Sequence, residues 1–368
     1  MRLQLITLLL LIWASSIPAD CLASDSHEAF LQGLRDRGYY DTALEYLDTL
    51  GSAATTSADI EATLELERAI IWMERSNATR RQDDRERFAG QGQVSFEVFL
   101  KEHPRHPRAA AGYAHLGRLL FEQARQKIWK CGASFNMDQR EALTNEARRM
   151  LQRAKLAFGK ARHQFKMQLD SLPIVDPEDD KDGYQNRRRT EARYLGTWLS
   201  FVSCDYEDAL TQDPDSGRRS DLLGMAQEQF QEIHTFSRSS AAGQHAKLMM
   251  GQCWQELGDI SQALGYFDEL RNQPSQDPYM QRLSRTAQYY RLVCLNHESR
   301  REFQNVVADA TQWLKQNQGA RNTEAGLGIL FEKAVATEAL ARNKNMSGEQ
   351  QQLRLRQASD DLNLVSAV

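Results

Sequence analysis

The segment 251–270, GQCWQELGDISQALGYFDEL, constrains the fold of this chain more than any other feature of its sequence. Residues three and four positions apart share one face of a helix, so the apolar residues in and just before this segment fall on two helix faces. The first face consists of Leu248, Gly251 and Trp254, and the second consists of Ala263, Phe267 and Leu270. The spacing predicts two short helices, each with one apolar side.

The two predicted helices meet at Gly258 and Asp259. Glycine commonly follows the C-terminus of a helix, and aspartate is a preferred N-cap residue. The small residues Gly251 and Ala263 allow the two backbones to approach closely, and large rings fill the space beside them. Such a helical hairpin cannot bury its apolar faces alone, so we expect it to stack against further hairpins.

The same pattern recurs along the chain. Matching segments are 38–47, 96–104, 116–120, 154–161, 195–199, 226–233, 303–313 and 327–331. Only 8 prolines and 21 glycines occur among 368 residues, so few positions interrupt a helix. Because long alternating β-branched runs are also absent, the sequence predicts an all-α protein.

These residues resemble a known repeat family. The pattern Met250-Gly251-x2-Trp254, a turn glycine, and Ala263-x3-Phe267-x2-Leu270 is similar to a tetratricopeptide repeat, although Lys247 replaces the consensus tryptophan. The resemblance extends over most of residues 27–345 and implies a right-handed superhelical solenoid of helical hairpins. Segment 99–120 is similar to repeats of exported bacterial tetratricopeptide proteins, which typically act as adaptors in envelope assembly.

The period of the pattern is irregular. The family repeat is about 34 residues long, whereas Ala226 and Ala263 are 37 residues apart and Ala263 and Val306 are 43 apart. We therefore expect long insertions at roughly 123–145, 165–190 and 204–220, on the surface at hairpin tips or between repeats.

The predicted solenoid occupies residues 24–345 and is followed by a terminal amphipathic helix at 346–368. This helix is either a cap or the start of a further repeat; because no polar capping repeat follows it, a longer array is favoured.

The N-terminus resembles an export signal. Arg2 precedes an apolar run at residues 3–13, which at 11 residues is too short to span a bilayer. We expect a secretory signal peptide at 1–23, cleaved after Ala23, and a periplasmic, envelope or secreted location. Cys21 offers an alternative, lipidation and attachment to a membrane surface, but Asp20 stands where a bacterial lipobox has a small residue.

Four cysteines remain beyond the predicted signal: Cys131, Cys204, Cys253 and Cys294. Cys253 and Cys294 lie inside apolar helical patterns, which favours buried free thiols. Cys131 and Cys204 lie at or near predicted loops, so a disulfide between them is an open alternative. No cysteine and histidine spacing is typical of zinc sites.

No motif predicts chemistry. The acidic loop 176–183, DPEDDKDG, resembles a calcium loop, but Arg189 stands where the bidentate glutamate is needed, so we interpret it as a solvated loop. No GxSxG, P-loop or GxGxxG is present, and the formal net charge of −4 does not favour nucleic acid as a partner. We therefore expect no catalytic residue, cofactor site or metal site, and no transmembrane segment after the signal.

The resemblance implies that the first helices of the repeats line a concave binding face. The residues that match groove-facing positions are Arg118, Arg193, Thr197, His245, Leu248, Gln252, Gln255 and Glu256. The leading interpretation is a non-catalytic exported scaffold or adaptor that binds a protein or peptide on this face. The alternatives are an envelope-anchored lipoprotein that assists membrane or cell-wall assembly, and an enzyme or carbohydrate-binding module built on a helical scaffold.

Overall fold

A computed structural model describes residues 19–54, 56–273, 275–342 and 347–366, with side chains described from residue 27 onward. Across these ranges the chain is helical, with no strand, which confirms the all-α prediction. The α-helices are α1 Ala19–Asp36, α2 Tyr40–Ser52, α3 Ala58–Ala78, α4 Gln82–Glu102, α5 Ala109–Ala133, α6 Met137–Ser171, α7 Lys181–Leu210, α8 Gly217–Phe236, α9 Ala241–Glu256, α10 Ile260–Arg271, α11 Pro278–Asn296, α12 Phe303–Gln316, α13 Glu324–Ala341 and α14 Gly348–Ser366. Most of the predicted signal peptide and the side chain of Cys21 lie outside the described residues.

The chain divides into two compact units, the first ending at Glu122 and the second beginning at Gln123. In the first unit, α3 packs against α1, α2 and α4. Its core includes a cluster around Leu31, Leu47 and Ile71. The rings of Phe96 and Phe99 on α4 are fully buried. The apolar spacing of the sequence accounts for these inward faces.

The second unit contains α6–α14 and the end of α5. From α6 to α14 each helix packs on the next along the chain, and α7, α9, α11 and α13 also contact one another in succession. One core cluster lies between α9, α10 and α11, and another between α11, α12 and α13. The last helix pairs with α13, where Lys333 Nζ lies 2.7 Å from Asp361 Oδ2. The core is therefore distributed along the unit.

The hairpin formed by α9 and α10 has the predicted geometry. Gly258 adopts φ = +85°, and the Asp259 carboxylate accepts a hydrogen bond from the backbone N–H of Gln262 at 3.0 Å. A Cβ on Gly251 would lie only 2.6 Å from Cε1 of the buried Phe267 ring. The small residue at position 251 is thus required for close packing of the two helices, as expected from the sequence.

The expected insertions are mainly helical extensions. Helices α5, α6 and α7 contain 25, 35 and 30 residues, so segments 123–133, 137–145 and 181–190 continue helices instead of forming separate loops. Once a helix is nucleated, each added residue gains a backbone hydrogen bond, and these segments are rich in residues that favour helices. The last part of the acidic loop caps α7: Asp180 is the N-cap residue, and its Oδ1 accepts a hydrogen bond from the backbone N–H of Gly183 at 2.9 Å.

The four described cysteines are free thiols, and three of them, Cys204, Cys253 and Cys294, are buried. The Cys204 thiol donates to the carbonyl of Ser200 at 3.4 Å, along its own helix. Across the described ranges, no helix combines the length and apolar character needed to cross a membrane.

Candidate functional site

The residues predicted to face a partner lie in different environments. Arg118 on α5 and Arg193 on α7 are exposed. The side chains of Thr197, Leu248 and Gln252 are buried, and Leu248 belongs to the core cluster between α9, α10 and α11. A buried side chain has no surface to offer a partner, so these three residues serve packing.

The other three predicted residues lie on α9, are partly buried, and contact neighbouring helices. The ring of His245 shares a hydrogen bond with the Tyr279 hydroxyl at 2.6 Å, and burial lowers its pKa. The Gln255 amide oxygen accepts from the Cys294 thiol at 3.6 Å, and Glu256 forms an ion pair with Arg219. These contacts hold helices together within the second unit.

A groove on the second unit joins side chains from α6, α7 and α8. It encloses about 280 Å³ and is lined by Gly159, Arg162, His163, Lys166, Tyr194, Trp198 and Glu232. We call it the Arg162 groove. It combines two aromatic rings with basic residues from different parts of the sequence.

Helical spacing explains how the groove forms. Arg162 and Lys166 are four residues apart on α6, and Tyr194 and Trp198 are four apart on α7, so each pair shares a face. The Tyr194 and Trp198 rings lie 5.7 Å apart between centroids, and Phe236 at the end of α8 lies 6.2 and 6.4 Å from them. Three aromatic rings from two helices therefore form one cluster.

The Arg162 guanidinium stacks on aromatic rings. Its carbon lies 5.6 Å from the Trp198 ring centroid and 4.8 Å from that of Phe201. Within the described ranges no carboxylate pairs with it, whereas Lys166 on the same face is paired with Asp170 at 2.6 Å. Stacking uses the face of the guanidinium and leaves its in-plane N–H donors available.

Two further donors lie beside this cation. The Trp198 indole nitrogen is buried and has no hydrogen-bond acceptor in the part of the chain that the structure describes. Burial raises the pKa of Tyr194, an effect that the charges of Arg162 and Lys166 partly oppose, so its phenol is protonated at neutral pH. A buried polar group without a partner is uncommon in folded proteins. The groove therefore suits a ligand rich in acceptors.

The first unit contains a larger polar cavity of about 470 Å³, lined by Glu28, Ala29, Gln32, Arg35, Glu67 and Arg108. Its charges are already paired with one another. The buried Glu67 carboxylate accepts from Arg35 at 2.6 Å and from Arg108 at 2.5 Å, and Arg108 also pairs with Glu28 at 2.8 Å. A charged ligand would have to replace these pairs, so the smaller Arg162 groove is the better candidate site.

Two of the sequence-predicted residues lie on α7 next to the groove but on a neighbouring face of the helix. Arg193 and Thr197 each precede a groove aromatic by one residue, which rotates a side chain by about 100° around a helix. The signal that was missed is the paired spacing of Tyr194 with Trp198 and of Arg162 with Lys166. Only packing of α6 against α7 shows that the two pairs meet.

No family model matches this chain, and no curated protein shows significant sequence similarity to it. Among the described residues, no group of three or more histidine, cysteine, aspartate or glutamate side chains is arranged to hold a metal ion.

Proposed function

We propose that this chain is a non-catalytic scaffold that binds an acidic peptide segment of a partner protein in the Arg162 groove. The supporting observation is the Arg162 guanidinium, stacked on aromatic rings next to the buried Trp198 indole N–H; among the described residues neither group has a hydrogen-bonding or ion-pair partner. A ligand carboxylate at this place would accept hydrogen bonds from the in-plane N–H groups of Arg162, which the stacking leaves available. An apolar side chain of the same peptide would contact Tyr194 and Phe236.

Relative magnitudes favour an added carboxylate over the existing contacts. A cation–π contact contributes about 0.5–1 kcal/mol at an exposed site, whereas a hydrogen bond to a charged group contributes about 1.5–3 kcal/mol. Because the two interactions use different parts of the guanidinium, the carboxylate adds to the stacking without replacing it. A volume of about 280 Å³ is below the usual range for drug-sized ligands and suits one or two peptide side chains.

The scaffold that we propose is a tetratricopeptide-like solenoid, exported after removal of the predicted signal. The successive contacts between α7, α9, α11 and α13, together with packing of consecutive helices, support stacked hairpins in the second unit. In such an array the groove lies on one first helix, α7, flanked by the second helices α6 and α8. This placement puts the aromatic cluster on rigid elements, which favours a preorganised site.

Two degenerate pools of fluorescein-labelled nonapeptides test the proposal, one with glutamate and the other with lysine at the central position. Fluorescence anisotropy with the full chain measures the affinity of each pool. We expect the glutamate pool to bind at least about tenfold more tightly, because one charge-assisted hydrogen bond is lost in the lysine pool and repulsion replaces it. Equal affinities, or tighter binding of the lysine pool, would contradict the proposal.

A further inference from the structure

The tip of the hairpin between α5 and α6 extends beyond the packed core. Ala124 on α5 is buried, and the next buried residue along the chain is Ala147 on α6. We call residues 125–146 the hairpin tip. The last nine residues of α5 belong to it and extend about 14 Å at the rise of an α-helix. None of the 22 residues of the tip takes part in a core.

Three large apolar side chains are exposed on the hairpin tip. Trp129 is 74% exposed, Phe135 is 102% exposed and Met137 is 72% exposed. Single exposed apolar residues are normal on protein surfaces, but two aromatics and a methionine within nine residues of a projecting turn form a distinct feature.

The backbone of the hairpin tip is held in place. The Cys131 thiol lies 3.3 Å from the Thr144 hydroxyl and 3.6 Å from the carbonyl of Arg140, which links α5 to α6. The Asn136 side chain caps α6 by accepting from the backbone N–H of Gln139 at 3.1 Å. These contacts fix the turn, so exposure of its rings is a property of a defined structure.

Basic residues accompany the exposed rings. The hairpin tip has four cationic and three anionic side chains, a net charge of +1, in a chain whose formal net charge is −4. Two of the cations are ion-paired, Lys127 with Glu146 at 3.1 Å and Arg125 with Glu207 at 3.3 Å. Lys130 and Arg140 flank the exposed apolar residues in the sequence, so the tip combines aromatic side chains with flanking basic residues.

We propose that the hairpin tip inserts into the interfacial region of an anionic lipid membrane. Tryptophan and phenylalanine partition favourably into this region, and lysine and arginine are attracted to anionic headgroups. A projecting turn offers no cleft to a peptide but can enter a lipid surface with little rearrangement. With three apolar side chains, the binding should be reversible, and it needs neither a transmembrane helix nor lipidated Cys21. The inference is independent of ligand binding at the Arg162 groove.

The test uses the full chain with Cys21→Ser, Cys131→Ser and Ala133→Cys, labelled with an environment-sensitive dye on the cysteine introduced at the exposed position 133. The other described cysteines are buried, so the dye reports on the tip itself. Vesicles are either equal parts phosphatidylglycerol and phosphatidylcholine or phosphatidylcholine alone. We expect a blue shift of the dye with anionic vesicles, a partition coefficient at least about tenfold lower with neutral vesicles, and weaker binding in salt. Sedimentation of the unlabelled chain with the same vesicles gives a second readout.

A matched pair of double variants tests the role of the rings. Trp129→Ala with Phe135→Ala removes two exposed aromatics of the tip and should lower the partition coefficient on anionic vesicles about tenfold. Leu156→Ala with Met167→Ala removes two apolar side chains of α6 that are 69% and 60% exposed outside the tip, and it should leave partition unchanged.

The proposal is overturned if the dye does not respond to anionic vesicles or if both double variants bind as the parent does. It is also overturned if sedimentation equilibrium shows that the tip mediates association of two copies, abolished by Trp129→Ala with Phe135→Ala, while vesicles have no effect. Equal partition into neutral and anionic vesicles would contradict the role assigned to the cations.

Discussion

The guanidinium carbon of Arg162 lies 5.6 Å from the centre of the Trp198 ring, whose buried N–H has no acceptor in the part of the chain that the structure describes. The arrangement leaves a charged donor stacked on an aromatic ring whose own N–H is buried. A folded protein usually pairs such groups with its own side chains, as the first unit does at Glu67. We therefore interpret the Arg162 groove as a binding site.

Replacement of Arg162 by alanine should weaken binding of the glutamate peptide pool by about 10- to 30-fold, since one charge-assisted hydrogen bond of about 1.5–2 kcal/mol is lost. Arg193→Ala is the matched control, because Arg193 is exposed on α7 but does not line the groove. Anisotropy titrations of both variants show whether the peptide binds at the Arg162 groove or on the face of α7 that carries Arg193. If Arg193→Ala has the larger effect, the concave face predicted from the repeat resemblance is the binding surface.

Gly251→Ala should lower the free energy of unfolding by about 1–3 kcal/mol, because the new methyl group would overlap the Phe267 ring. Phe267→Ala should cost about 3–5 kcal/mol through the cavity that it leaves in the core. Urea denaturation of both variants measures these costs. In the double variant, Gly251→Ala with Phe267→Ala, the new methyl group occupies space that the ring has left. The loss in free energy of unfolding should therefore be smaller than the sum of the two single losses. If the losses add, the two residues do not share this contact.

Much of the fold could be predicted from residue spacing. The turn at Gly258 and the close approach of Gly251 to Phe267 follow from local periodicity and residue size, which act within one hairpin. The lengths of α5, α6 and α7 could not be predicted from residue spacing. A helix can continue beyond its buried segment, and the added exposed turns do not change the apolar pattern by which the helix is recognised.

The candidate site was harder to predict than the fold. Arg162 and Trp198 are 36 positions apart and meet only because α6 packs against α7. The exposure of a predicted site residue also depends on packing between helices, which is why Gln252 is buried and Arg193 is exposed. Sequence periodicity gives the face of a helix, but not which neighbouring helix covers that face.

The stability of the first unit should decrease with acidification because of His115. Burial, together with the charges of Arg118, Arg108 and Arg35, lowers the pKa of this histidine to about 4 from its ordinary 6.5. Below pH 6.5 the unfolded chain binds a proton that the folded chain excludes. The free energy of unfolding therefore falls between pH 6.5 and 4, by on the order of 3 kcal/mol, and this contribution is complete above pH 6.5.

Urea denaturation between pH 4 and 7.5 measures this contribution. His115→Gln should remove it and give a flatter pH profile. Identical slopes for the parent and His115→Gln would show that the pKa of His115 is the same in the folded and unfolded chains, which would contradict this account.

Thiol reactivity should distinguish Cys131 from the other described cysteines. Burial raises the pKa values of Cys204, Cys253 and Cys294, that of Cys294 to about 12, so few of these thiols ionise at pH 8. In the Cys21→Ser background, a colourimetric disulfide reagent should titrate one fast thiol in the native chain and four in denaturant. Two thiols in denaturant, with none fast in the native chain, would instead indicate a disulfide between Cys131 and Cys204.

The most direct test of ligand binding at the Arg162 groove is the indole N–H resonance of Trp198. The chain has 6 tryptophans, so a ¹⁵N-labelled sample gives few indole N–H signals. The signal that disappears in Trp198→Phe is the indole resonance of Trp198. Titration with the glutamate nonapeptide pool should shift this resonance, because a ligand paired with Arg162 would lie against the Trp198 ring, and should leave the Trp254 and Trp313 signals in place. An unmoved Trp198 resonance at peptide concentrations that saturate the anisotropy change would contradict binding in the groove.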